Sequence, residues 1–233
     1  MTNLQEFAPD VWTVEGPNVY DMGFLFTTRM TVVKLSDGSV WIESPVAASF
    51  ATLAEIAAVG PVRYLVAATP RHVWRLERWH TLFPEAELWS APHSLLSLEP
   101  AGLPLNRRLG AEPPPAWAAD LDQLPFRGNP LLTEVLFLHR QARTLIVGDL
   151  FQSNPSLPGH PLRNALLKLS GGLAPGGGVG FDMKLTFIQP ALARQARDRL
   201  LAWDFDKLII AHGACITHDA KPLVASWLSW IKG

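Results

Sequence analysis

The 233-residue chain predicts an α/β fold, a four-layer αββα sandwich, on three observations. Its apolar strands fall into two hairpin-rich halves. Each half closes with a helix–strand–helix stretch, the arrangement that lays helices on the outer faces of packed sheets. Finally, 48% hydrophobic and 18% charged residues allow one sizeable buried core, so residues 1–233 are read as a single domain.

The elements follow in order. Thr31–Leu35 and Val40–Glu43 flank Ser36-Asp37-Gly38-Ser39, and Asp-Gly supplies the positive φ of a tight hairpin turn. Ala47–Val59 has apolar residues at helical spacing and stops at Gly60-Pro61, after which Val62–Ala68 is a buried strand. Trp74–Leu82 reads as a helix, Glu87–Trp89 as a strand and Ala91–Leu98 as a short helix. Residues Glu99–Pro130, centred on Pro113-Pro114-Pro115, favour extended, solvated backbone over regular structure. That segment is expected to be a long connection, a lid or, over Pro113–Trp117, an interface. Leu131–His139 and Thr144–Gly148 form a second hairpin turning at Gln141-Ala142. A helix over Leu162–Leu169, a glycine-rich loop, a helix over Ala191–Trp203, the strand Lys207–Ala211 and a helix over Ala220–Ile231 complete the chain.

Charge and cysteine content narrow the function. Twenty basic and 21 acidic residues give a formal net charge of −1, so no global field attracts nucleic acid or an anionic membrane. No apolar run reaches the ~20 residues of a membrane-spanning helix. The single Cys215 excludes an internal disulfide framework, and Met1–Asp10 has neither a basic start nor a long apolar run, so a cytoplasmic location is expected. Cys215 itself is read as a small buried hydrophobe before a nucleophile or soft ligand.

The chemistry is sought where buried strands end in polar residues. Leu145–Gly148 runs into Asp149, Leu208–Ala211 runs into His212, and His72 lies just beyond Val62–Ala68. Strands hold such groups rigidly while the following loops leave room for a ligand. Three protein ligands plus water is the usual pattern of a catalytic zinc site, so His72, Asp149 and His212 form a minimal metal set. A turn at Gln141-Ala142 pairs His139 with Thr144 and Glu134 with Asp149. At ~3.3 Å per residue His139 then lies roughly 15 Å from Asp149, at the other end of the sheet. Glu134 falls beside Asp149, where it is either a second site carboxylate or the cap of a loop. The loop Ser170–Gly180, flanked by Arg163, Lys168 and Lys184, lacks a Gly-Lys-Ser/Thr ending and reads as a flexible loop over the site mouth before a phosphate cradle. Trp74, Trp79 and Trp89 are core residues first and candidate pocket walls second. His80, His93, His160 and His218 show no ligand spacing and stay unassigned.

Trp41-Ile42-Glu43, then Thr69-Pro70-Arg71-His72, Ile146-Val147-Gly148-Asp149 and Ile210-Ala211-His212-Gly213 resemble the metallo-β-lactamase fold across nearly the whole chain. Arg29–Leu35, His72, Glu134–Asp149 and Ala211–Gly213 are similar, more narrowly, to an uncharacterised branch of that superfamily. The resemblance implies zinc or iron and hydrolase-like chemistry. Against the superfamily's H-x-H-x-D-H, this chain has Pro70-Arg71-His72-Val73-Trp74-Arg75, so aligning His72 with the second histidine removes three ligands and with them the second metal site. A guanidinium cannot coordinate a cation and stays charged, so Arg75 is expected to pair with Asp149 in place of the missing ion. Asn129 falls where the superfamily's G-H-T-P-G histidine would be. Two readings remain. One is a mononuclear hydrolase of an ester, lactone or amide, with one zinc or iron on His72, Asp149 and His212, with Arg75, Asp149 and Glu134 as catalytic groups and with Trp74, Asn129 and Lys184 against the substrate. The other is a metal-free, non-catalytic binder of a small molecule, with Arg75 neutralising Asp149.

Overall fold

A computed structural model describes residues 3–21, 24–97, 102–103, 105 and 107–233. The first sheet takes seven strands in chain order: β1 (Gln5–Ala8), β2 (Val11–Asp21), β3 (Phe24–Lys34), β4 (Val40–Glu43), β5 (Val62–Ala67), β6 (Glu87–Ser90) and β7 (Arg107–Arg108). β1 to β4 pair antiparallel, while β4 to β7 run parallel. Parallel neighbours need crossovers, and these are α1 (Phe50–Val59) between β4 and β5 and α2 (Leu76–Leu82) between β5 and β6. The second sheet, built from β8 (Leu121–Phe126), β9 (Glu134–His139), β10 (Thr144–Val147) and β11 (Lys207–Ile210), has the order β11-β10-β9-β8. α3 (Pro161–Ser170), α4 (Phe181–Thr186) and α5 (Pro190–Ala202) link β10 to the parallel β11, and α6 (Ala220–Trp227) follows.

The two-residue period of the strands sorts their side chains into three cores separating four layers. Val40 and Ile42 pack outward with Ile56 of α1 and with Leu76 and Trp79 of α2. Trp41 between them points inward with Val33 and Val66 to meet Val135, Phe137, Ile146 and Ile209 of the other sheet. Leu136, Leu138, Leu145, Val147, Leu208 and Ile210 face outward again, onto Ala193, Ala196 and Leu200 of α5, Val224 of α6 and Leu228 just beyond it. All four residues of β4 and of β10, and all six of β9, are buried, as strands covered on both faces must be.

Several local expectations are corrected. α1 begins at Phe50 and not Ala47, because Ser49 accepts the Thr52 amide with its side chain and so fixes the helix start. Residues 91–97 form no helix: Ala91 continues from β6 by bonding to Ala67, and Leu96 donates to the Leu131 carbonyl. Within Glu99–Pro130, residues 99–101, 104 and 106 lie outside the described residues, but Leu121–Phe126 is a buried strand. It was concealed by Pro125, which an edge strand tolerates because it need not donate on its outer side. Pro113–Trp117 is tied to the core and not free as a lid. Trp117 is fully buried and meets Trp41, Tyr64 and Trp89 edge-on at ring separations of 6.3, 5.3 and 4.9 Å. Gln123 Nε2 ties the segment down by donating to the carbonyls of Gly110 and Glu112. No helix among the described residues is long and apolar enough to cross a membrane.

Candidate metal centre

The C-terminal ends of β4, β5, β10 and β11 come together at one end of the sandwich, and each delivers one polar group. Glu43 ends β4, His72 sits in the turn after β5, Asp149 lies two residues past β10 and His212 two past β11. His72, Asp149 and His212 are, among the described residues, the one group of three potential ligands whose donor atoms lie within 4.8 Å of one another. His72 Nε2 is 3.3 Å from Asp149 Oδ1, His212 Nε2 is 3.1 Å from the same oxygen, and the two Nε2 atoms are 3.3 Å apart.

The tautomers follow from the outer partners. His212 Nδ1 lies 2.7 Å from the Thr27 carbonyl, which can only accept, so Nδ1 carries the hydrogen. Ser44 Oγ contacts both the Glu43 carboxylate and His72 Nδ1. The Ser44 hydroxyl donates to the carboxylate, which leaves His72 Nδ1–H to donate to Ser44 Oγ. Both rings, when neutral, therefore turn Nε2 lone pairs toward an oxygen of Asp149. Three electron-pair donors at 3.1–3.3 Å repel unless a cation or a proton sits among them. Asp149 Oδ2 is buried with no hydrogen-bond partner, which adds a further unmet acceptor. Outer hydrogen bonds that fix histidine tautomers are the usual support of metal ligands, so this donor set fits a divalent ion.

The field of the site draws positive charge to it. Burial works against a charge on His72, yet the Asp149 and Glu43 carboxylates outweigh it and hold His72 well above its ordinary 6.5. Burial likewise opposes the Asp149 charge, but His72 and His212 hold its carboxyl well below 3.8. Glu43 is 1% exposed and closes this network behind Ser44. It carried no signal of its own beyond an acidic residue ending an apolar strand. Ser44 sits at φ 54°, an uncommon conformation for a residue with a side chain, and its amide bonds the Val66 carbonyl.

The three candidate ligands expected from the sequence come together, while several of their neighbours stand elsewhere than expected. Glu134 is beside Asp149, as the hairpin register requires, with Phe137 opposite Ile146 and His139 opposite Thr144. It is the loop cap of the two alternatives, not a group facing the cavity. Its Oε1 accepts from Gly148 N at 2.5 Å, and Oε2 accepts from Asp149 N at 3.0 Å and Leu150 N at 2.6 Å. Burial and the Asp149 charge push Glu134 up to about 8, against the pull of those amides. Gly148 lets this loop approach the metal set: a Cβ there would stand 2.9 Å from Thr69 Cγ2 and 3.3 Å from His72 Cε1. His139 is at the far end, where its Nδ1 accepts the Ala142 amide and closes the turn.

The expected Arg75–Asp149 pair is absent. Arg75 immediately precedes α2, lines the cavity described below, and makes no ion pair among the described residues, because the two histidines already occupy Asp149. Arg29, which was given no role, does more: it pairs with Glu15 and donates to the carbonyls of Ile210 and Gly213, so it clamps the chain on both sides of His212. Asn129 is buried, accepting from Leu131 N and donating to Met183 Sδ. The glycine-rich loop does not line the cavity described below and is bonded along its backbone. Backbone bonds join Gln152 to Gly178 and Asn154 to Gly172 and Ala174, and Arg163 donates to the carbonyls of Leu25 and Pro155.

A cavity of about 540 Å3 opens over the three ligands. Trp74, Arg75 and Asn129 line it as expected, whereas Lys184 does not; α4 presents Asp182, Met183 and Thr186 instead. Phe26 covers His212 with ring centroids 5.5 Å apart.

Residues 9–163 match a family model described as "Domain of unknown function (DUF4336)". The chain belongs to this family. The matched span of the DUF4336 chain includes Glu43, His72, Glu134 and Asp149, and His212 joins from beyond it. Among solved structures it is similar to a metallo-beta-lactamase from Pontibacter korlensis, at 12% identity and TM-score 0.63 over 98% of this chain and 99% of that one. A metallo-beta-lactamase from Erythrobacter litoralis gives 13% identity and TM-score 0.60 over 98% and 89%. A metal-soaked flavodiiron core from Synechocystis gives 12% and 0.61, with 98% of this chain covering 60% of that one. This DUF4336 member thus has the metallo-β-lactamase fold. No curated protein matches its sequence.

Proposed function

We propose that the protein is a hydrolase of an ester, lactone or amide that works with one zinc or iron ion held by His72, Asp149 and His212. The convergence of three lone-pair donors on one point, with both histidine tautomers set from outside, carries this reading. A divalent ion at that point supplies Lewis acidity and lowers the pKa of water it holds. The chain's residues do the rest. Thr27 and the Ser44–Glu43 pair keep the Nε2 atoms inward, and Glu134 holds the loop that carries Asp149. A cytoplasmic setting is part of the proposal, supported by the one cysteine, which is unpaired.

A second reading, a metal-free small-molecule binder, is favoured by one contact: His72 Nε2 and Asp149 Oδ1 at 3.3 Å also suit a single shared proton. In that case His72, and not Arg75, neutralises Asp149. Hydrolysis of a panel of aryl esters and lactones, before and after chelation and zinc return, separates the two. The hydrolase reading expects activity that is lost on chelation, restored by zinc and absent in His212→Ala. Activity indifferent to all three treatments would overturn it.

A further inference from the structure

We infer that the ligand of the cavity is an anionic amphiphile: an acyl compound with one long apolar arm and one acidic group. The cavity, about 540 Å3, is in the size range of sites that enclose drug-sized molecules. Much of its wall is apolar. Val19 and Phe26 come from the β2–β3 hairpin, Val46 from the segment after β4, Leu132 from the loop after β8, and Met183 from α4. Trp74 completes the wall and is 50% exposed, an apolar surface that a bound chain would cover. Such a lining would bind a small polar substrate poorly, because it offers little to replace the water that substrate loses.

The acidic group is read from the charges that line the same cavity. Asp149 faces the two histidines, and Asp182 is in the first turn of α4, where the helix end accommodates a negative charge. Arg29 is held by Glu15 and two carbonyls, and Arg71, which also lines the cavity, has a partner of its own. Arg75, by contrast, has no ion pair or side-chain hydrogen bond among the described residues and is exposed. A carboxylate or phosphate on the ligand pairs with that guanidinium through two parallel N–H donors. Arg75 thus takes the role of anchoring the ligand's acid, where the sequence alone had assigned it to Asp149. That the ligand is an ester or lactone rests on the hydrolase reading; its apolar arm and acidic group do not.

Calorimetric titration with octanoate, octanol and acetate tests the inference on protein stripped by chelator, with the wild type, Arg75→Ala, Val19→Asp and Met183→Asp compared. Val19 and Met183 are half-buried, and using both keeps one misfolded variant from deciding the result. The expected outcome is octanoate binding without metal, weakened about tenfold by Arg75→Ala and at least about tenfold by each aspartate, one decade being about 1.4 kcal/mol. Octanol should bind more weakly than octanoate to the wild type and equally well to Arg75→Ala. Octanoate binding no tighter than acetate, octanol binding as tight as octanoate, or indifference to both aspartates would overturn the inference. Octanoate binding by a protein that cleaves no ester after zinc return would leave the ligand class standing and remove the hydrolase reading.

Discussion

The sandwich buries histidines at both ends, and the surroundings of each decide what it can do. At the closed end, His139 is 2% exposed, its Nδ1 accepts the Ala142 amide, and burial lowers its pKa. Between the two ends, in the core shared by the sheets, Trp117 meets Trp41, Tyr64 and Trp89 edge to face. At the open end, His72 and His212 are nearly as enclosed, yet each has one nitrogen fixed by an outer acceptor and the other aimed at Asp149. Burial alone makes a structural histidine. A ligand needs burial together with a partner that turns its lone pair toward an unmet position.

Breaking the open end should have the largest effect. His72→Ala or His212→Ala is expected to abolish stoichiometric zinc or iron, measured by elemental analysis after dialysis, whereas His139→Ala should keep the metal and lose only stability. Equal metal loss in all three would erase the distinction between the ends. Next comes the core between the sheets: Trp117→Ala should lower unfolding free energy by about 3–5 kcal/mol in urea titration, as deleting a fully buried large aromatic does, with metal content unchanged. Coupled loss of metal there would show that the open end and the core are not independent.

A smaller effect tests the outer layer of the metal set. Glu43→Gln keeps the shape and removes the charge behind Ser44, so zinc affinity measured by chelator competition should fall by about 10–100-fold while the fold stays intact. Unchanged affinity would reduce Glu43 to a structural residue. The smallest concerns Cys215, whose thiol burial pushes above its ordinary 9.0. Alkylation of the native protein at pH 8 should be slow, should rise with pH, and should become fast in urea. Because the folded state disfavours the thiolate, its contribution to stability is intact below pH 9 and declines as pH rises through that value. Fast native alkylation at pH 8 would instead expose the thiol.

The parts of the fold legible in the sequence were those where an apolar run ends abruptly. Asp149 and His212 stand out because three buried aliphatic residues and Gly148 precede the first and four buried aliphatic residues precede the second. Correct placement of one hairpin turn then carried Glu134 to Asp149 and His139 away from it. What stayed hidden was of two kinds. β8 is masked by Pro125, since proline reads as a strand breaker until the strand is known to be an edge. The outer support of the ligands depends on a backbone carbonyl, Thr27, and on Ser44 standing between Glu43 and His72. Neither leaves a spacing that one sequence can show. Arg75 was misassigned for a related reason: proximity in the chain to His72 does not fix where a long, flexible side chain points, and the α2 N-terminus directs it to the cavity wall.

The central claim is one metal ion per chain, and the most direct measurement is the metal content of wild-type protein expressed with zinc and iron, purified without chelator or affinity-tag metal. The account predicts close to one zinc or iron per chain, returning to the same value when stripped protein is given metal back. No metal, with no retention on zinc addition, would contradict it, and two ions per chain would contradict the loss of the second site.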